Sequence, residues 1–245
     1  MINYDSGLNI FSSTLINDRK YLADFATRAQ GDARQIARIL EFIKTSNIPY
    51  QKIVTLGQIH STNIAFFDSK LQMNIEHLDD TDGVITKMSN VILTVITADC
   101  APIIFVDKKS GIIGISHQGW RGSLKKLAVK MVELMLKHGA EKASIKVAIG
   151  PSIGSCCYSI DDDRYYSFLE EFDGYSAKIF HMHAGVRYLN LMLLNYLLLV
   201  NAGLKKENID FFPFCTRCDK KRFFSFRRDK KSEYGEMFSF VTKLS

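Results

Sequence analysis

Cys100 and His117 stand a short distance apart in a stretch that begins Thr97-Ala-Asp-Cys-Ala-Pro102 and ends Ser116-His-Gln-Gly-Trp-Arg-Gly122. A thiol and an imidazole at this separation suit two chemistries. Cys100 can be a nucleophile with His117 as its base. Alternatively the two are ligands of one metal ion, with a third donor elsewhere in the chain. His60, after Gln58-Ile59, holds a comparable place at the end of an apolar run. One thiolate and two imidazoles form a ligand set for catalytic zinc, which leaves a fourth position open. The competing structural reading makes Cys100 a small buried hydrophobe and each histidine a hydrogen-bonded strand end. No His-Glu-x-x-His, Walker loop or Gly-x-Gly-x-x-Gly competes with these residues.

The surroundings add candidates for anion binding. Trp120-Arg121-Gly122 opens a predicted helix, so free backbone N–H groups meet a guanidinium there. Arg28 precedes the Gln30-Gly31-Asp32 turn and is a second cation of this kind. Asp99, beside Cys100, is placed to orient a ligand histidine through a hydrogen bond. Cys215-Thr-Arg-Cys218 has C-x-x-C spacing but no second Cys/His pair near it in sequence, so it reads as two reduced thiols rather than a zinc or redox site. Cys156 and Cys157 follow the turn Gly150-Pro-Ser-Ile-Gly154. Phe223-Phe-Ser-Phe-Arg-Arg228 interleaves aromatics and charge in the manner of a single-strand binder. A strand with one buried face is the simpler reading. His181 and His183 read as surface residues.

The elements that must position these groups follow from periodicity. Val91–Thr97, Ile103–Val106 and Ile112–Ser116 read as strands buried on both faces, the last two joined as a hairpin through Lys108–Gly111. Ile53–His60 reads as a strand ending near His60, and Val84–Thr86 as another. Asp32 is the expected N-cap of a helix bearing Ile36, Ile39, Leu40 and Ile43 on one face. A helix of about four turns is expected from Leu124 to Gly139, a short one capped by Asp161, and a buried one over Val186–Val200. Strands are expected around Phe211–Phe214, Phe223–Phe226 and Met237–Val241. Many strands without strict helix alternation indicate α+β rather than a doubly wound sheet.

Across the 245 residues, 47% are hydrophobic and 24% charged, the pattern of a soluble globular chain. Only four prolines occur and no linker or repeat divides the chain, so residues 1–245 read as a single domain. The net charge of +6 suits an anionic ligand, but the basic residues are scattered apart from the run 219–231, and no nucleic-acid partner is expected. Five cysteines, two of them adjacent, do not form a secreted disulfide framework. No basic and apolar leader opens the sequence, and the most apolar run, Leu189–Val200, is too short to span a membrane, which takes about 20 residues. A reducing cytoplasm is the expected location.

Taken in order, Phe25-Ala-Thr-Arg28, Gln58-Ile-His60, Asp82-Gly-Val-Ile-Thr86, Thr97–Pro102, His117–Gly122, Gly150–Tyr158, Cys215-Thr216 and Phe223–Asp229 resemble the YfiH/laccase-domain family, long labelled multicopper polyphenol oxidase. The resemblance runs from about residue 25 to the C-terminus. It implies a four-layer sandwich of mixed β-sheets flanked by helices, a fold shared with cysteine hydrolases that deamidate glutamine. It implies one metal, usually taken as Zn²⁺ with Cu²⁺ as an alternative, on His60, Cys100 and His117. It also implies phosphorolysis of adenosine, inosine and methylthioadenosine with adenosine deaminase side activity, so that the partners are a purine nucleoside and phosphate. Peptidoglycan-precursor editing by a Cys–His hydrolase and copper-dependent polyphenol oxidation are the alternatives. Six histidines with one clear triad do not supply a multicopper cluster. The assembly expected is a monomer or homodimer. Gln118 stands where the family usually has Ala, Ser155 where it has Pro, and Gly235-Glu236-Met237 lacks the usual Gly-Arg.

Overall fold

The computed structural model describes residues 1–69 and 74–245. In chain order the strands of its first part are β1 (Ile2–Asp5), β2 (Ile10–Ser13), β3 (Tyr21–Ala26), β4 (Lys52–Leu56), β5 (Ile64–Phe67), β6 (Ile75–Leu78) and β7 (Gly83–Thr86). Helix α1 (Ile36–Thr45) lies between β3 and β4. Next come β8 (Val91–Thr97), β9 (Ala101–Asp107), β10 (Ile112–Gln118), α2 (Trp120–Leu124), α3 (Leu127–Lys137) and β11 (Ile145–Ile149). The remainder is β12 (Ser159–Ile160), α4 (Asp162–Phe172), α5 (Ser176–Ile179), β13 (Phe180–His183), β14 (Val186–Leu189), α6 (Leu191–Asn201), β15 (Ile209–Phe211) and β16 (Met237–Lys243).

Two mixed sheets result, ordered β1-β2-β3-β16-β8-β4-β6 and β15-β11-β9-β10-β7-β5, with a small third sheet β12-β14-β13. The period-two alternation of the central strands dictates how they stack. Leu93 and Val95 of β8 meet Ile104 and Val106 of β9 and Ile113 and Ile115 of β10 in one core between the sheets. The opposite faces are also apolar. Ile103, Phe105 and Ile112 take up Leu127, Met131 and Met135 of α3, while Ile92, Phe238 and Phe240 take up Ile39, Phe42 and Ile43 of α1. The order of layers is therefore helix, sheet, sheet, helix, the expected α+β sandwich.

Several local expectations hold. The β9–β10 hairpin is antiparallel with Ile104 opposite Ile115. The Asp161 side chain accepts from the Arg164 amide and caps α4. Others give way to competing hydrogen bonds. The helix expected from Leu124 is broken at Lys126, whose left-handed φ of 58° separates α2 from α3. Val186–Leu189 is a strand, because it pairs with β13, and the helix starts only after Asn190, whose side chain accepts from Leu193 N. The Asp32 carboxylate is taken by Arg34 and by the Glu236 amide, so α1 starts at Ile36 without it. Phe223–Phe226 is irregular rather than a strand, with the Phe223 amide on Asp219 O and the Ser225 amide on the Asp229 carboxylate. No helix among the described residues is long and apolar enough to cross a membrane.

Candidate active site

The site lies where the two large sheets exchange chain. Strand β8 belongs to one sheet and β9 to the other, so Ala98-Asp99-Cys100 must turn sharply between them. Asp99 makes that turn at a φ of 82°, a region that a side chain rarely tolerates unless other bonds hold it. Those bonds are present. Its carboxylate accepts from Thr216 Oγ1 at 2.6 Å, Ser225 Oγ at 3.0 Å and the Arg227 amide at 2.8 Å. His117, next to last in β10, stands opposite Pro102, which brings it beside the turn. His60 lies beyond β4 in the Gly57–Asn63 loop, also at positive φ, 61°.

One ligand atom from each of His60, Cys100 and His117 lies within 4.8 Å of the others. Cys100 Sγ stands 3.9 Å from His60 Nε2, and the two imidazole rings meet edge-on at 4.7 Å between centroids. Gly119 makes room for them: a Cβ there would sit 2.5 Å from His60 Cδ2 and 3.4 Å from Cys100 Sγ. The histidine that needs orienting is served by Asp82, not by Asp99. Asp82 Oδ1 bonds His117 Nδ1 at 2.8 Å and also accepts the His60 amide at 3.1 Å. Its other oxygen holds the Ile59 and Ser61 amides and the Ser61 hydroxyl. This carboxylate, fully buried, ties together the loop of one histidine and the ring of the other.

The electrostatics follow from that arrangement. Burial opposes charge on Asp82, but the bonds from His117 and Ser61 outweigh it and hold the carboxyl down to about 2. Burial likewise opposes a thiolate at Cys100, yet the charge and hydrogen bonds of His117 and His60 bring the thiol down to about 7. His117 is pushed up to about 10 against its own desolvation, by Cys100 and Asp82. Two imidazole nitrogens and a readily ionised sulfur, packed by a glycine and oriented by a buried carboxylate, are a donor set that fits a zinc or copper ion.

His60, Cys100 and His117 line a cavity of about 510 Å³, within the usual range for small-molecule sites. Its walls include the rings of Trp120, Tyr158, Phe226 and Tyr234, and the cations Arg34, Arg164 and Arg227. Arg164 stacks on Trp120 at 4.4 Å, and its buried Nε has no hydrogen-bond partner. The arginines expected from sequence lie elsewhere. Arg28 donates to Lys220 O at 2.9 Å and stacks on Phe224, while Arg121 is exposed and covers the Trp120 ring at 4.5 Å. Neither lines the cavity. Arg164 and Arg227 carried no motif of their own, although Arg227 lies within the Phe223–Asp229 stretch. Asp82 was visible as an acidic residue preceding Gly83, but its partner His117 is close only in the fold.

A family model described as multi-copper polyphenol oxidoreductase laccase matches residues 22–243. The chain belongs to this family. It is 32% identical over 228 residues to an adenosine deaminase, RL5, of an unknown prokaryotic organism, covering 91% of this chain and 84% of that protein. It is 31% identical over 233 residues to the purine nucleoside phosphorylase YlmD of Geobacillus stearothermophilus, covering 92% and 82% respectively. The crystal structure of YlmD from that organism superposes with a TM-score of 0.83 at 26% identity, over 95% of this chain and 94% of that one. A Bacillus licheniformis hypothetical protein, YfiH, superposes with a TM-score of 0.81 at 28% identity, over 92% and 93%. The family is metal-associated by its description, and the chain carries a Cys/His group able to hold an ion.

Proposed function

We propose that the chain is a metal-dependent purine nucleoside phosphorylase, acting on adenosine, inosine and methylthioadenosine with phosphate, and that it deaminates adenosine as a side activity. The observation that carries this reading is one cavity in which the His60–Cys100–His117 donor set faces aromatic walls and a buried arginine nitrogen without a partner. Relatives named purine nucleoside phosphorylase and adenosine deaminase support it.

His60, Cys100 and His117 would hold a zinc ion, which supplies Lewis-acid polarisation of a bound oxygen or water. Asp82 holds a proton on His117 Nδ1, which leaves Nε2 as the nitrogen that would bond the metal on giving up its own proton. The rings of Tyr158 and Trp120 present flat apolar faces that suit a purine. Arg164, with Arg227 beside it on the cavity wall, offers N–H groups to phosphate and holds it against the anomeric carbon. An oxygen of hydrogen phosphate then bonds that carbon as the glycosidic C–N bond breaks, and the proton that the phosphate gives up passes to the departing purine.

The decisive experiment pairs metal analysis with assays of inosine plus phosphate before chelation, after chelation and after reloading with Zn²⁺ or Cu²⁺. Activity lost on chelation and restored by one of these ions is the expected result. Full activity in metal-free protein would sink the proposal. That second outcome belongs to a Cys–His hydrolase, which has an observation of its own in favour. Cys100, His117 and Asp82 are arranged as nucleophile, base and orienting carboxylate, with the thiol brought down to about 7.

A further inference from the structure

Strands β11 and β15 pair in parallel, Val147 opposite Ile209 and Ile149 opposite Phe211. Parallel neighbours release their following loops at the same end of a sheet. The 150–158 loop and the 212–222 loop therefore leave side by side. They stay together: Ser152 and Cys215 form a bridge, and the Thr216 amide donates to Ser152 O at 3.0 Å. Two pairs of cysteines far apart in sequence meet there, contrary to the expectation that Cys215 and Cys218 stand alone.

Cys218 Sγ is 3.5 Å from Cys156 Sγ and 3.4 Å from Cys157 Sγ, and all four sulfurs of Cys156, Cys157, Cys215 and Cys218 lie within 4.8 Å of one another. A zinc ion bonded to four thiolates at about 2.3 Å sets them about 3.8 Å apart in a tetrahedron. The cluster is thus close to that size without an ion. Gly154 serves the packing, since a Cβ there would lie 3.0 Å from Cys215 Cβ and 3.3 Å from Cys156 Sγ. The turn after Cys215 is closed by the Asp219 amide on Cys215 O, and Cys215-x-x-Cys218 has the two-residue spacing common among zinc-binding cysteines.

We propose that Cys156, Cys157, Cys215 and Cys218 form a second metal site, a closed four-thiolate zinc centre distinct from the His60–Cys100–His117 group. Its role is structural. Ile153 and Tyr158 on one tied loop line the active-site cavity, and Thr216 on the other bonds the Asp99 carboxylate beside Cys100. An ion across the two loops holds that wall of the cavity in place. Soft sulfur donors with no open position exclude a water-activating role.

The test is zinc stoichiometry by native mass spectrometry on protein purified with zinc and reductant, in the wild type, in Cys215→Ser/Cys218→Ser and in His60→Ala. The expected result is about two ions per wild-type chain and about one in each variant. If the triad holds no metal, the wild type and His60→Ala both keep about one ion and the double variant has none, which still supports the four-cysteine site while failing the functional reading above. Zinc content unchanged by Cys215→Ser/Cys218→Ser overturns the proposal. Should that variant not fold, alkylation of the zinc-loaded wild type decides. Protection of all four thiols until a mercurial ejects the metal supports the site. Immediate alkylation, or a disulfide among the four in the purified protein, overturns it.

Discussion

Asp82 Oδ1 accepts both the His117 Nδ1 proton at 2.8 Å and the His60 amide at 3.1 Å, so one buried oxygen sets the positions of both candidate histidine ligands. Removing its charge while keeping its shape isolates this role. Asp82→Asn is expected to weaken metal binding by about 10–100-fold, the usual cost of losing a carboxylate behind a ligand histidine. Isothermal titration of chelated protein with Zn²⁺ measures this, and unchanged affinity removes Asp82 from the site.

The same carboxylate ties acid stability to the site. Its folded value of about 2 lies below the ordinary value of 3.8. A depressed carboxylate contributes stability that is complete above the ordinary value and disappears as pH falls through the folded one. The shift corresponds to about 2 kcal/mol. Urea unfolding of wild type and Asp82→Asn is expected to differ by at least that much at neutral pH, the gap narrowing as pH falls from about 4 towards about 2.

Cys100 provides a pH prediction at the other end. Its thiol is brought down from 9.0 to about 7 by the two histidines despite burial. In chelated protein, alkylation of Cys100 followed by peptide mass spectrometry is expected to accelerate as pH rises through about 7, because the thiolate is the reacting form. His117→Gln moves that midpoint upward. A midpoint near 9 in the unsubstituted chain shows that no imidazole charge reaches the sulfur.

How much of this was legible beforehand varies from residue to residue. The sandwich was, because Val91–Thr97 and Ile103–Val106 are apolar at every position and strands of that kind must be covered on both faces. Cys100, His117 and His60 were singled out because the three donor types together suit one metal ion, although each alone reads as structural, and the fold brings their ligand atoms within 4.8 Å of one another. Asp82 was not assigned, since its buried pairing with His117 is a property of the fold and not of spacing. The arginines misled for a physical reason. Arg121 follows Trp120 in a motif, but its exposed side chain on the short helix α2 stacks on that ring without lining the cavity, whereas Arg164 reaches the ring from α4 and lines it. The four-cysteine cluster was hidden in the same way, by a parallel strand pairing that sequence proximity does not report.

Gly119 tests how tightly the site is packed. A methyl group there would sit 2.5 Å from His60 Cδ2 and 3.2 Å from its Nε2. The backbone φ of −73° permits alanine, so any effect comes from the contact and not from the chain. Gly119→Ala is expected to displace His60 and remove the ion of the His60–Cys100–His117 group, lowering bound metal by about one ion per chain, while costing about 1–3 kcal/mol of stability as overpacking does. Retained metal at wild-type affinity shows that His60 is dispensable as a ligand.

The arginines separate the phosphate seat from the surface. Arg164 lies on the cavity wall with its buried Nε free of hydrogen bonds, although its guanidinium also stacks on Trp120 and lies 3.7 Å from Asp161, whereas Arg28 donates to Lys220 O and the exposed Arg121 does not line the cavity. A charge-assisted hydrogen bond to phosphate contributes about 1.5–3 kcal/mol, or about 10–100-fold in affinity. Arg164→Gln is therefore expected to raise the KM for phosphate by that factor, with the KM for inosine changing far less. Arg28→Gln and Arg121→Gln leave both constants unchanged. Steady-state kinetics at varied phosphate, run on all three variants, checks the assignment, and a phosphate KM that follows Arg121 rather than Arg164 moves the anion to the outer side of Trp120.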